Sequence, residues 1–232
     1  MCAPSYGWEG QTAPTRLGRA DTQVCPYATA VNKGENTMKK IIVGLSGASG
    51  VIYGIRLLEV IQALPDVESH LVMSTAAATT IPLETDYSPE QVRLLATEDY
   101  RFKDIAAAIS SGSFRTDGMV ILPCSMKTLS AIAYSYSDNL LTRAADVVLK
   151  ERRKLILCPR ETPLHLGHLR GMTLAAEMGA FIVPPMPAFY HRPQTVDDIV
   201  NQTVNRVLDL LDITLPEDLF RRWQGGRAAS GE

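Results

Sequence analysis

The sequence predicts an α/β protein with a doubly wound parallel sheet, helices covering both faces. Two observations carry that expectation. Short, unbroken apolar runs recur along the chain, as in strands buried on both sides. Stretches of helical periodicity separate them, so consecutive strands are joined by right-handed crossovers rather than hairpins.

In order, residues 40–45 (KIIVGL) read as a buried strand, and residues 51–64 set Ile52, Ile55, Leu58, Val60 and Ile61 at helical spacing. Residues 67–74 (VESHLVMS) alternate as a strand does. Helices are expected at 76–84 and 89–95, with a short one at 104–109. A buried strand follows at 118–123 (GMVILP), then helices at 126–134 and 140–152. Residues 154–158 (KLILC) form the next strand, 166–178 a helix, 181–183 a short strand and 196–211 a long amphipathic helix.

Residues 1–37 show neither strand nor helical period, and small and turn-forming residues punctuate them. They are expected to be a disordered extension outside the natural chain, with Met38 as its start and residues 38–232 as one domain.

Composition narrows the function. The 232 residues carry a net charge of −2 with a pI near 6.1, which leaves no basic footprint for nucleic acid or an anionic membrane. No run of about 18 apolar residues exists to span a membrane. The four cysteines, Cys2, Cys25, Cys124 and Cys158, are too sparse for a disulfide scaffold and lack zinc-ligand spacing, so a reduced, cytoplasmic protein is expected.

In a sheet of this kind ligands bind beyond the carboxyl ends of the strands. The first end is Gly44-Leu45-Ser46-Gly47-Ala48-Ser49-Gly50, a glycine-rich turn opening a helix; free N–H groups at such a helix start attract phosphate, and Ser46 and Ser49 add hydroxyl donors. The spacing is GxxGxxG rather than GxGxxG, and a plain tight turn with a serine cap accounts for it equally. The second strand ends in Ser74-Thr75, where a nicotinamide dinucleotide site would place an acidic residue. No Walker pattern occurs either, so a mononucleotide such as FMN fits better than NAD. Ser74 and the stretch Ser125, Met126, Lys127, Thr128 offer further contacts to the same ligand.

The fourth end sets Arg160-Glu161 between Pro159 and Pro163, a stiffened charge pair suited to binding a phosphate and passing it a proton. Six of the 14 prolines fall between residues 159 and 193, and the last four make residues 181–193 (FIVPPMPAFYHRP) a rigid loop carrying Tyr190. On their residues alone, Lys150 and Arg206 read as solvated helix positions. His165 and His168 lack the glutamate of HExxH, so no metal site is expected.

Three segments carry a resemblance: GLSGASGVIYGIRLL (44–58), PCSMKTLSAIAYSYSDNLLTRAADVVLKERRKLILCPRETPLH (123–165) and PPMPAFYHRP (184–193). They resemble the UbiX-type flavin prenyltransferases, and more narrowly those members named after a phenolic or aromatic acid decarboxylase. Residues 1–37 have no counterpart. The resemblance implies a flavodoxin-like Rossmann fold and metal-independent transfer of a dimethylallyl group from dimethylallyl monophosphate to N5 and C6 of reduced FMN. The prenylated FMN would pass to a UbiD-type decarboxylase. It also implies a homododecamer with sites at subunit contacts.

Position by position, Gly47, Ala48 and Ser49 match the FMN-binding turn, and Ser74, Ser125–Thr128 and Arg160 the other FMN contacts. Lys150, Glu161, Tyr190 and Arg206 match residues that hold or protonate the dimethylallyl phosphate, and Glu84 a carboxylate that, with Ser49, takes the proton lost at C6. Two alternatives stand beside this reading. One is an FMN-dependent decarboxylase, whose relatives use a histidine soon after the second strand, where residues 74–83 have none. The other is a non-catalytic FMN-binding accessory protein, which would not need Lys150, Glu161, Tyr190 and Arg206.

Overall fold

The structure is a computed structural model that describes residues 38–225; the expectation about residues 1–37 lies outside the described residues. Strands β1 (Lys39–Leu45), β2 (Val67–Met73), β3 (Glu98–Tyr100), β4 (Gly118–Cys124), β5 (Lys154–Pro159) and β6 (Phe181–Ile182) form one sheet, ordered β3-β2-β1-β4-β5-β6. Every pairing is parallel. The chain moves outward from β1 to β3, returns to β4 beside β1, and moves outward again. The order therefore reverses between β1 and β4, which is where such a sheet opens a crevice. Without the short edge strand β3, the order is that of the flavodoxin-like fold.

Successive side chains on β1 point to opposite faces. Ile41, Val43 and Leu45 join one core with helices α1 (Val51–Gln62), α2 (Thr75–Glu84), α3 (Pro89–Leu94) and α7 (Val196–Leu210). Ile42 lies in the other core, with α4 (Met126–Ala133), α5 (Leu140–Lys150) and α6 (Leu166–Glu177). All seven residues of β4 are buried, as expected of a strand covered on both sides.

Two elements differ from expectation. Strand β3 went unseen because it is a three-residue edge strand whose Glu98 and Asp99 are exposed, so it has no apolar run. The helix expected at 104–109 is only a 3₁₀ turn at Ala108–Ser110, preceded by turns; six residues cannot sustain a helix without a packed face, and here only Ala107 and Ile109 are buried.

The helices run back against the strands. Helix α5 starts beside Phe102, whose carbonyl accepts from the Leu140 N–H at 2.9 Å, just past the end of β3. It finishes at Lys150, before β5 begins. Beyond the end of α7, the Asp212 carboxylate pairs with Lys154, the first residue of β5. The last turns of α5 and α7 therefore lie toward the N-terminal edge of the sheet, about 20 Å from its C-terminal edge for strands of this length.

Candidate active site at the strand ends

The crevice between β1 and β4 is stapled at its base by Ser46. Its hydroxyl donates to the Pro123 carbonyl at 3.1 Å and accepts from the Ser125 N–H at 2.7 Å. Ser46 is wholly buried, so it is not the ligand-facing donor the sequence suggested; it fixes the two strand ends together. The Arg160 N–H donates to the Cys124 carbonyl at 3.2 Å, and the Ser74 N–H to the Leu45 carbonyl at 2.9 Å, which brings all four strand ends into one row.

Gly47 is required here. A Cβ at this position would stand 2.3 Å from the Cβ of Ala76, so only glycine lets the β1 turn meet the start of α2. Gly50, at φ 96°, provides the left-handed residue that opens α1. The N–H groups of Gly50 and Val51 donate to one oxygen of Glu84, at 2.7 and 3.3 Å. This corrects a second expectation: the start of α1 is already occupied by a carboxylate and is not open to a phosphate. Burial acts to raise the Glu84 carboxyl, but the Ser49 hydroxyl, the Gly50 and Val51 N–H groups and the charge of Arg160 outweigh it and hold the group below its ordinary value. Glu84 is therefore ionised at neutral pH and paired with Ser49.

The starts of α2 and α4 are capped by side chains of their own. Ser74 accepts from the Ala77 N–H at 3.1 Å, and Ser125 accepts from the Thr128 N–H at 3.3 Å while donating to the Thr128 hydroxyl at 3.1 Å. Arg160 reaches back across the crevice, its Nε donating to the Ser49 carbonyl at 3.3 Å. Glu161 is exposed on the rim, with one oxygen accepting from the Thr162 N–H at 3.1 Å.

Two connected hollows result. A small one of about 150 Å³ is lined by Gly47, Ala48, Ser49, Ser125, Met126, Arg160 and Glu161, all of them sequence-predicted site residues. It shares Gly47 and Ser125 with a cleft of about 640 Å³ that also takes in Ser74, Lys127 and Thr128. Phe102, Tyr134 and Tyr136 complete the cleft wall, with Asn139 and Thr142 beside them. Sequence reasoning gave these residues no role. The available signal was the pair of tyrosines in YSYSDN, just past an expected helix, which the structure leaves 70% and 64% exposed. The residues fit an isoalloxazine and its phosphate tail: aromatic faces for a planar ring, hydroxyls and a first-turn lysine for the polar end, and a glycine-cleared floor.

Four predicted residues line neither hollow: Glu84, held at the start of α1, and Lys150, Tyr190 and Arg206. Lys150 ends α5, paired with Glu151 toward the far edge of the sheet. Arg206, on α7, pairs with Asp209 at 2.8 Å. Tyr190 follows β6 and packs edge-on against His191, Phe220 and Trp223. Among the described residues, no three His, Cys, Asp or Glu side chains converge as metal ligands. Cys124 and Cys158 are free and buried, and burial pushes both thiols up, so neither is a nucleophile at neutral pH.

The sequence profile of the family described as Flavoprotein matches residues 29–208. The chain is 70% identical over 188 residues to the flavin prenyltransferase UbiX of Escherichia coli K12, which covers 81% of this chain and all of that one. A dodecameric FMN-dependent UbiX-like decarboxylase of Escherichia coli O157:H7 superposes with a TM-score of 0.78 at 56% identity, over 80% of this chain and all of that one. AnUbiX (PadA1), solved with FMN and dimethylallyl pyrophosphate, superposes with a TM-score of 0.77 at 49% identity, over 81% of this chain and 98% of that one.

Proposed function

The chain belongs to the Flavoprotein family and, within it, to the UbiX-type flavin prenyltransferases, and from that premise we propose how its residues divide the work. The reaction is transfer of a dimethylallyl group from dimethylallyl monophosphate to reduced FMN. The observation that carries this reading is the convergence of the β1 turn, the start of α4 and the Arg160–Glu161 pair on one hollow that opens into an aromatic-walled cleft.

When bound, reduced FMN would supply N5 and C6 as nucleophilic positions: the N5 bond would replace the allylic C–O bond, whose electron pair leaves with the phosphate, and the C6 bond would use up the allylic double bond, whose central carbon takes a proton while N5 and C6 each lose one. The chain's residues do the rest. Ser74 and the Ser125–Thr128 turn hold the flavin, with Phe102, Tyr134 and Tyr136 flanking the cleft and Arg160 bridging the turn beneath it. Glu84, ionised and bonded to Ser49, is set to accept the proton released from C6. Glu161, exposed beside Arg160, gives a proton to the departing phosphate.

Lys150, Tyr190 and Arg206 grip the donor phosphate from a second subunit. In their own chain Lys150 and Arg206 stand toward the sheet edge opposite Glu161, which supports a site completed by a neighbouring subunit. The dodecamer formed by the 56%-identical relative supports that arrangement. The product passes to a UbiD-type decarboxylase. No helix among the described residues is long and apolar enough to cross a membrane. Two buried free thiols suit the reducing cytoplasm, where we place the reaction, with residues 38–232 as the working domain.

The decarboxylase reading, present in the descriptions of two relatives at 56% and 39% identity, finds no histidine at the start of α2, where Thr75, Ala76 and Ala77 stand. The test is anaerobic incubation with reduced FMN and either dimethylallyl monophosphate or the pyrophosphate, followed by mass spectrometry. Expected is FMN carrying one five-carbon unit. Bound FMN with no adduct from either donor overturns the proposal.

A further inference from the structure

The segment after α7 returns along that helix and touches both Tyr190 and the surroundings of Arg206. The Leu219 N–H donates to Oδ1 of the buried Asn205 at 2.8 Å. Phe220 and Trp223 pack against Tyr190, at ring separations of 6.4 and 5.9 Å. Between them Arg222 makes four bonds. Its Nη1 and Nη2 donate to the two oxygens of Asp209 at 2.9 and 2.8 Å, and its Nε and Nη2 donate to Asp218 at 2.6 Å each. Asp209 also accepts from Arg206 Nη1 at 2.8 Å. One carboxylate thus joins the arginine of α7 to the arginine of the returning segment.

We propose that Asp209 and Arg222 are positioning residues for the donor phosphate, with Asp209 fixing the direction of the Arg206 guanidinium and Arg222 keeping Asp209 from neutralising it. The inference rests on the reading of Arg206 and Tyr190 as the donor-phosphate grip. An unheld arginine surrenders its rotamer freedom when it binds an anion. Arg206 is 49% exposed in its side chain and tied through one N–H, so its remaining donors stay available to a phosphate while its direction is already set. Arg222 engages both oxygens of Asp209 in a fork, the stronger geometry, so Asp209 is shared rather than spent on Arg206 alone. The Arg222 fork and then the Arg206 bond hold the Asp209 carboxyl below its ordinary range, so the link persists throughout the neutral range. Two arginines and two aspartates cancel in charge, and Phe220 and Trp223 bring Tyr190 to the same segment.

The test uses the assembled enzyme and compares Arg206→Ala, Arg222→Ala, Arg222→Lys and the Arg206→Ala/Arg222→Ala double variant. Arg222→Ala is expected to raise KM for dimethylallyl monophosphate about tenfold and to weaken inhibition by inorganic phosphate by the same factor. Its kcat and its Kd for FMN stay within about twofold of the parent, which a general loss of structure would not allow. Arg222→Lys, which keeps the charge but not the fork, falls between. The double variant is no worse than Arg206→Ala, because Arg222 acts through Arg206. If Arg206→Ala raises KM and Arg222→Ala does not, or if the two effects multiply in the double variant, the inference is overturned. If Arg206→Ala leaves KM unchanged, the reading of the phosphate grip on which it rests is what fails.

Discussion

The strand-end crevice and the α7 edge hold their functional groups by opposite means. In the crevice the fixing agents are backbone N–H groups, small hydroxyls and one glycine: Ser46 staples two strands, Gly47 clears the floor, and Ser74 and Ser125 cap two helices. At the α7 edge they are long side chains, with Arg206, Asp209, Asp218 and Arg222 in one chain of ion pairs beside stacked aromatic rings. The first region is built into the fold and can serve a planar cofactor with little rearrangement. The second depends on side chains whose geometry is set by one another, which suits the capture of a small anion from solution. The crevice carries Glu161 beside Arg160, and the proposed donor grip adds the α7 edge's Arg206 to them.

The sharpest way to break this division is to disable each region in a different chain. Glu161→Gln is expected to lower turnover by about 100-fold or more with FMN still bound, the range for a lost general acid. Lys150→Ala lowers it through donor capture. Co-expressed, the two variants recover activity that neither shows alone, because some sites combine an intact Glu161 with a partner's intact lysine. Mixed oligomers without recovery would place both residues in one subunit's site.

Gly47→Val probes the built-in region next. The added side chain meets Ala76 and forces α2 from the β1 turn, so FMN binding weakens at least tenfold, and overpacking costs about 1–3 kcal/mol. Flavin fluorescence titration and thermal unfolding measure the two effects separately. Ser46→Ala is milder in binding but leaves the Ser125 N–H without its acceptor, at a cost of about 1–3 kcal/mol in stability.

The smallest expected effect is that of Glu84→Gln on stability against pH. The Glu84 carboxyl sits below its ordinary value in the folded chain. Its stabilisation is therefore full above the unfolded value of about 4.3 and is lost as pH falls through the folded one. The gap in Tm between parent and variant should be flat from about pH 8 to pH 5 and close below about pH 4. A gap that widened on acidification would show that the group is not held ionised.

The fold was legible wherever burial was two-sided. IIVGL and GMVILP announce themselves because every residue buried on both sides must be apolar, while Lys40 stands at the partly exposed start of β1. Glu98–Tyr100 could not be seen, since an exposed edge strand takes its structure from its neighbour and not from its own pattern. The hollow was legible for a similar reason: once the strands are placed, their carboxyl ends give Gly47–Ser49, Ser125–Met126 and Arg160–Glu161. Glu84 was different, because its bonds to Gly50 and Val51 span more than thirty residues and no local spacing encodes them; only the family resemblance pointed to it. The fork from Arg222 to Asp209 was invisible too, since it closes across a loop. Ser46 shows the converse error, a hydroxyl in the right motif that the fold turns inward.

The carboxylate at the start of α1 gives the crevice a polarity. Of the helices that begin behind β1, β2 and β4, the one behind the glycine-rich turn repels anions at its mouth, while those at Ser74 and Ser125 open onto neutral hydroxyls. A molecule with one anionic end and one planar end therefore has a single favourable way to enter. On the proposed reading, the flavin's phosphate is expected at the neutral caps of Ser74 and Ser125, away from the Glu84 carboxylate.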